Sequence, residues 1–272
     1  GLYTHPDGTF WLKSGNVTVS DDYPDANVGG YQLDGTVATL GANGTRGGEF
    51  KNGDLYVCNG TANIYRYTTA GVLVATISLQ AGTVANDIAW DGTNWWVANG
   101  NLFAQRYSEA TANVFTFVDT GDIATYFGAG NLVGLGYDGT SIIAQFVNDR
   151  RMIYINNSFL YGGTTYGPSG TGAAFLGRRG AAFDGANYIY GRTVSPWEVQ
   201  TFNRTANNIF YAGPGAGNTA INGVMSEGFS QTAFWATNNA NPGTWYRYSK
   251  AAGDVTARTD TDSAQPLFVR LK

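Results

Sequence analysis

Asn86-Asp87-Ile88-Ala89-Trp90-Asp91-Gly92-Thr93-Asn94-Trp95-Trp96-Val97-Ala98 reads as two short apolar strands joined by a tight polar turn. Asp-Gly between apolar runs marks an antiparallel hairpin, because glycine accepts the positive φ that such a turn demands. A third strand is expected over 102–107 and a fourth over 113–118. The same turn returns as Tyr137-Asp138-Gly139-Thr140 and Phe183-Asp184-Gly185-Ala186, with a looser copy at Phe50-Lys51-Asn52-Gly53 and a degenerate one ending at Phe229-Ser230-Gln231. The aromatic positions 50, 90, 137, 183 and 229 stand 40, 47, 46 and 46 residues apart. At the amino end, Pro6-Asp7-Gly8-Thr9 repeats the turn, with Gly8 lying 45 residues before Gly53, which makes six copies.

Four short strands in each unit of this length is the pattern of a propeller blade. The expected fold is therefore all-β, a six-bladed β-propeller of four-stranded antiparallel blades. It fills a single domain over 1–272, with blades near 1–45, 46–85, 86–132, 133–178, 179–222 and 223–272. Strands are expected at 54–58, 63–67 and 72–77 in the first full copy. Those of the fourth copy fall at 188–190, 197–202 and 208–211, and those of the last at 233–237, 244–248 and 254–257. No helix is evident beyond a possible turn at 122–127. Leu267-Phe268-Val269-Arg270-Leu271 is a candidate closing strand, which would pair near Gly8 to Leu12 and cover edges that an open ring exposes. A sandwich has no reason to repeat every fourth strand, which places it second.

Composition agrees with this reading. Charged residues make up 13% of the 272, aromatics 14%, and glycine supplies 38. That is the balance of a turn-rich β protein, and such a chain buries a substantial core without staples. A net charge of −4 argues against nucleic acid, whose binding needs clustered Lys and Arg. No apolar run is long enough to cross a bilayer, and no signal peptide is visible. Cys58 is the only cysteine, so no internal disulfide forms, and its place in Leu55-Tyr56-Val57-Cys58 reads as core.

Catalytic and metal chemistry find little footing. One histidine, His5, and one cysteine cannot build a zinc or iron site. Asp21-Asp22-Tyr23-Pro24-Asp25 is the densest carboxylate group, but it lacks the spacing of a calcium loop and suits a solvated turn. Asp91, Asp138 and Asp184 occupy turn positions where a short side chain bonds the backbone. No metal or cofactor is expected, and no catalytic constellation stands out. Binding is better supported. The segments 13–29, 118–132, 160–176, 193–196 and 238–244 vary in length and are rich in Tyr, Asn, Thr, Gly and Ser, the chemistry of binding loops. Tyr126, Tyr161, Tyr166, Trp197 and Trp245 lie in or beside them and are the candidate ligand contacts, although the same aromatics suit packing between blades.

The run Trp90 to Asn99 resembles the repeat of six-bladed propellers of the NHL and virginiamycin-B-lyase type. The resemblance implies a blade rather than an activity, because those lyases use a catalytic histidine and a metal ion, and His5 sits in an irregular segment. The stretches Gly8-Thr9-Phe10-Trp11-Leu12-Lys13-Ser14-Gly15, Asp22-Tyr23-Pro24-Asp25 and Leu267-Phe268-Val269-Arg270-Leu271-Lys272 resemble bacteriophage tail and virion-surface proteins. That implies a virion or extracellular surface location, with a host surface glycan or protein receptor and neighbouring virion subunits as partners. The leading expectation is a non-enzymatic receptor- or glycan-binding adhesion module. A scaffold docking neighbouring subunits is the second, and a polysaccharide-degrading or lyase enzyme the third.

Overall fold

The computed structural model describes residues 2–4, 10–14, 31–41, 44–100, 103–123, 132–146, 152–166, 178–192, 199–203, 208–212, 221–229, 232–238, 243–250 and 267–271. Three strands precede the first complete blade: β1 (Leu2–Thr4), β2 (Phe10–Ser14) and β3 (Tyr31–Thr39). Blade 1 holds β4 (Gly47–Lys51), β5 (Asp54–Cys58), β6 (Asn63–Thr68) and β7 (Leu73–Ser78). Blade 2 holds β8 (Ala85–Trp90), β9 (Asn94–Asn99), β10 (Phe103–Thr111) and β11 (Val114–Asp122). Blade 3 holds β12 (Leu132–Tyr137), β13 (Ile142–Phe146), β14 (Met152–Ile155) and β15 (Tyr161–Tyr166). Blade 4 holds β16 (Arg178–Phe183), β17 (Asn187–Arg192), β18 (Val199–Asn203) and β19 (Asn208–Ala212). Blade 5 takes β20 (Ile221–Ser226), β21 (Ala233–Asn238) and β22 (Thr244–Lys250) and borrows β3 as its outermost strand, while β23 (Leu267–Leu271) pairs elsewhere.

The inner strands β4, β8, β12, β16 and β20 each pack against the next, and β20 returns to β4, so the ring is closed. The core is correspondingly divided. Five buried apolar clusters lie one between each pair of successive blades, from Tyr56 and Ile64 against Trp95 and Tyr107 round to Trp235 and Trp245 against Leu55 and Tyr67. The inner strands approach so closely that side chains have no room. A Cβ on Gly223 would stand 2.4 Å from the carbonyl oxygen of Arg46, and one on Gly134 would stand 2.7 Å from the carbonyl carbon of Gly180. Such small residues let a short ring close around a narrow axis.

The propeller and its four-stranded antiparallel blades are as expected, but the blade number is corrected from six to five among the described residues. The described residues of 1–45 make no blade of their own. Asp7-Gly8 lies between β1 and β2, which pair as a hairpin with Tyr3 opposite Trp11, and β2 then pairs with β23, Leu12 opposite Val269. The terminal strand thus meets the expected partner, yet it makes a separate three-stranded sheet. Ring closure falls instead to β3, which lies against β22 with Ala38 opposite Trp245 and Leu33 opposite Tyr248. The place expected for 254–257 in the last blade is therefore taken by β3, and 254–257 lie outside the described residues. Most of the 122–127 turn is also outside them, and Asp122 itself ends β11.

Three of the repeated turns are built alike. Asp91 Oδ1 accepts from the amides of Thr93 (2.7 Å) and Asn94 (2.6 Å). Asp138 Oδ1 does the same with Thr140 (2.9 Å) and Ser141 (2.8 Å), and Asp184 Oδ1 with Ala186 (2.8 Å) and Asn187 (2.7 Å). Gly92 follows at φ 94° and Gly185 at φ 101°. Both disfavour a side chain, but only Gly185 is also crowded, since its Cβ would lie 2.3 Å from the Phe229 carbonyl oxygen, whereas Gly92 has open space around it. Gly92→Val is expected to cost about 1–2 kcal/mol from backbone strain alone, and Gly185→Val more. Chemical denaturation of the two variants checks the order; equal losses would show that crowding at Gly185 is relieved by movement of the 227–229 turn.

Candidate functional site

Each inner strand ends at its hairpin on the same face of the ring, and there the repeated aromatics converge. Phe50, Trp90, Tyr137, Phe183 and Phe229, one per blade, line a cavity of about 210 Å³ at this end of the ring. Phe229 is 49% exposed and lies across the side formed by blades 3 and 4. Its ring centroid is 6.1 Å from that of Tyr137 and 5.9 Å from that of Phe183. Met225 and Ser226 of blade 5 complete the wall, with Ser226 Oγ donating to the Gly228 carbonyl at 2.7 Å.

Glu49 brings the one carboxyl among the described lining residues, and no Lys or Arg is among them. Its Oε1 accepts from the Phe50 amide at 2.9 Å and its Oε2 from the Trp90 amide at 3.2 Å, tying blade 1 to blade 2. Burial pushes this carboxyl up to about 8, against the weaker pull of the two amides and of Lys51. Deeper on the axis lies Asp87, fully buried. Its Oδ1 accepts from the Ile88 amide and its Oδ2 from the Leu135 amide of blade 3, both at 2.9 Å, and the Ala181 amide of blade 4 also bonds it. Burial raises its pKa well above the carboxylate range, and Glu49 adds to the rise.

Lys51 stands beside the cavity but is already engaged. Its Nζ is 2.7 Å from Glu109 Oε2, 3.6 Å from the Trp90 ring centroid and 4.7 Å from that of Trp95. Trp95 Nε1 donates to the same Glu109 oxygen at 2.8 Å. Burial would raise the Glu109 pKa, but the bonds from Lys51, Trp95 and Asn113 outweigh it and hold the group low. Blade 5 has an analogous tie: Trp235 Nε1 and Arg247 Nε both donate to Glu227 Oε1 at 2.6 Å, and Arg247 Nη1 reaches Asp34 on β3 at 2.5 Å. That last bond latches the borrowed strand.

The raised Glu49 pKa has a stability consequence. A carboxyl that keeps its proton in the fold contributes fully below its unfolded value near 4.5, and the contribution is lost as pH rises through about 8. Asp87 acts with the same sign, whereas Asp34 and Glu109, held low, lose their contribution only in stronger acid. Between pH 5 and 8 stability is therefore expected to fall by up to about 1.4 kcal/mol per pH unit for Glu49. Denaturant midpoints at pH 5 and pH 8 check this, with Glu49→Gln flattening the difference. A wild-type protein equally stable at both values would show the carboxyl ionised in the fold.

The expected contact residues are not gathered at this cavity. Trp245 is corrected outright: it is 0% exposed, packed with Ala38, Leu55, Met225 and Trp235 between blades 5 and 1. It is interior because its side chain packs against blade 1, in one apolar cluster with Leu55, Val57 and Tyr67. Tyr161 and Tyr166 lie on β15, the outermost strand of blade 3, opposite Ile155 and Met152 and away from the axis. Tyr126 and Trp197 lie outside the described residues, as do His5 and Asp21 to Asp25. Among the described residues no three His, Cys, Asp or Glu side chains are grouped to hold a metal ion, and no helix is long and apolar enough to cross a membrane. Cys58 is buried, and burial pushes its thiol pKa up, as suits a core residue.

The fold and site define a five-bladed propeller with an aromatic, single-carboxyl mouth. Among solved structures it is similar to the glutaminyl cyclase of Myxococcus xanthus, with a TM-score of 0.63 and 12% identity over 82% of this chain and 97% of that one. It is also similar to a streptogramin B lyase, with a TM-score of 0.46 and 15% identity over 91% of this chain and 78% of that one. At these identities the likeness is one of fold. No family model matches the sequence, and no curated protein matches it.

Proposed function

We propose that this propeller is a non-enzymatic recognition module of a virion or cell surface, which seats a small group of a host glycan or protein receptor in the aromatic cavity at the hairpin end of its ring. The carrying observation is the convergence of five aromatic rings, one per blade, with Glu49 on a cavity of about 210 Å³. That is below the roughly 300–1,000 Å³ typical of drug-sized ligand sites, so the mouth suits one sugar unit or one substituent. Aromatic walls with a few polar groups supply affinity and orientation together. The reading moves recognition from the variable loops to the hairpin face. Glycan-array screening followed by calorimetric titration tests it. Phe229→Ala, at an exposed position, is expected to weaken binding about tenfold or more with the fold intact. Unchanged affinity would move the site away from this mouth.

A second reading is favoured by one observation: a carboxyl poised near 8 is suited to proton transfer at neutral pH. An enzyme would use Glu49 as the general acid–base in the same cavity. The cyclase that shares the fold makes a glutaminyl peptide the first substrate to try. Turnover abolished by Glu49→Gln would establish this reading over simple binding.

A further inference from the structure

We infer that the group seated in this mouth is a compact organic cation, a quaternary or tertiary ammonium such as a choline substituent, held by the aromatic wall and paired with the Glu49 carboxylate. The inference rests on the binding reading above and narrows it to a ligand class. Ring faces attract ammonium groups through their quadrupole, and more strongly in desolvated sites. The protein already uses this contact next door, where the Lys51 ammonium stands 3.6 Å from the Trp90 centroid. The wall itself carries five rings, the Met225 thioether and a carboxyl, with no Lys or Arg among the described lining residues to receive an anion.

The charges around Glu49 fit a cation. Lys51 on its own strand is neutralised by Glu109 at 2.7 Å. Asp87 on the neighbouring strand is buried with its carboxyl pKa raised. Among the described lining residues, neither the blade 5 side, Met225 and Ser226, nor the blade 4 side, Ala181 to Phe183, brings an ionisable group to the cavity, and blade 3 brings only the Tyr137 phenol. Glu49 alone is therefore costly to ionise, and an arriving cation offsets that cost by releasing the proton to water. Each Glu49 oxygen accepts one amide bond, and a carboxylate oxygen has a further lone pair for a ligand. A neutral sugar, by contrast, meets few hydrogen-bonding side chains on this wall.

Calorimetric titration with choline and with its neutral isostere 3,3-dimethylbutan-1-ol separates charge from shape. Choline is expected to bind at least about tenfold more tightly than the isostere. Its affinity should rise with pH up to about 8 in the wild-type protein, where the carboxyl titrates. Glu49→Gln should lose about tenfold of that affinity together with its pH dependence, with circular dichroism reporting an intact fold. Equal binding of choline and isostere, or unchanged choline affinity in Glu49→Gln, overturns the inference. Methyl glycosides that bind where choline does not would overturn it while leaving the recognition module standing. If choline, the isostere and the glycosides all fail to bind, the module reading falls with it.

Discussion

Trp245→Ala is expected to lower the unfolding free energy by about 3–5 kcal/mol, the range for deleting a large buried aromatic side chain. The residue is 0% exposed and sits where blade 5 meets blade 1, against Leu55, Met225 and Trp235. Its strand is also the one that receives β3, so the lost packing loosens the closure of the ring. Trp245→Phe should be far milder. The Trp245 indole N–H finds no acceptor among the described residues, while that of Trp235 donates to Glu227 at 2.6 Å. Phenylalanine at 245 keeps most of the apolar contact and removes a donor, whereas phenylalanine at 235 breaks a charge-assisted bond. Urea denaturation of the three variants gives the order Trp245→Phe, then Trp235→Phe, then Trp245→Ala. An alanine variant as stable as the parent would return Trp245 to the surface.

Asp87→Ala is expected to cost about 3 kcal/mol or more, because it strands several buried amides at once, each worth about 1–3 kcal/mol when left unsatisfied. The amides of Ile88, Leu135 and Ala181 belong to three different blades, so a single carboxyl fastens three inner strands around the axis. Asp87→Asn separates the two oxygens. Burial favours the neutral acid, and asparagine keeps one acceptor oxygen without charge but turns an NH2 toward the amide that bonds the other. Asparagine is therefore expected to cost about 1–3 kcal/mol, less than alanine, because one buried amide loses its acceptor. Equal damage from asparagine and alanine, read as denaturant midpoints at pH 7, would show that one acceptor oxygen cannot hold the inner strands together.

The blade was legible because its determinants are local. Asp91-Gly92, Asp138-Gly139 and Asp184-Gly185 fix their hairpins through backbone bonds within three residues, and the aromatic before each turn keeps a constant phase. The blade count was not, because it depends on which distant strands pair. Asp7-Gly8 carries the same local mark, yet the strands before and after it pair in a sheet separate from the blades, while β3 pairs in blade 5. The site was half legible. Positions 50, 90, 137, 183 and 229 were read as punctuation of the repeat, and the same regularity places them around one axis. Glu49 carries no motif of its own. Its significance comes from two amides and a dry wall that only the assembled ring supplies. Trp245 was misread because a tryptophan near a variable loop looks the same in sequence whether a neighbouring blade covers it or not.

The borrowed strand also sets the order of biosynthesis. Residues 31–39 leave the ribosome before any blade does, and their partner at 244–250 leaves after four blades have formed. Until then the nascent chain carries two unmatched sheet borders, and the closing contact spans most of the polypeptide, which makes its formation slow. The circle therefore stays unfinished until its last sector is translated.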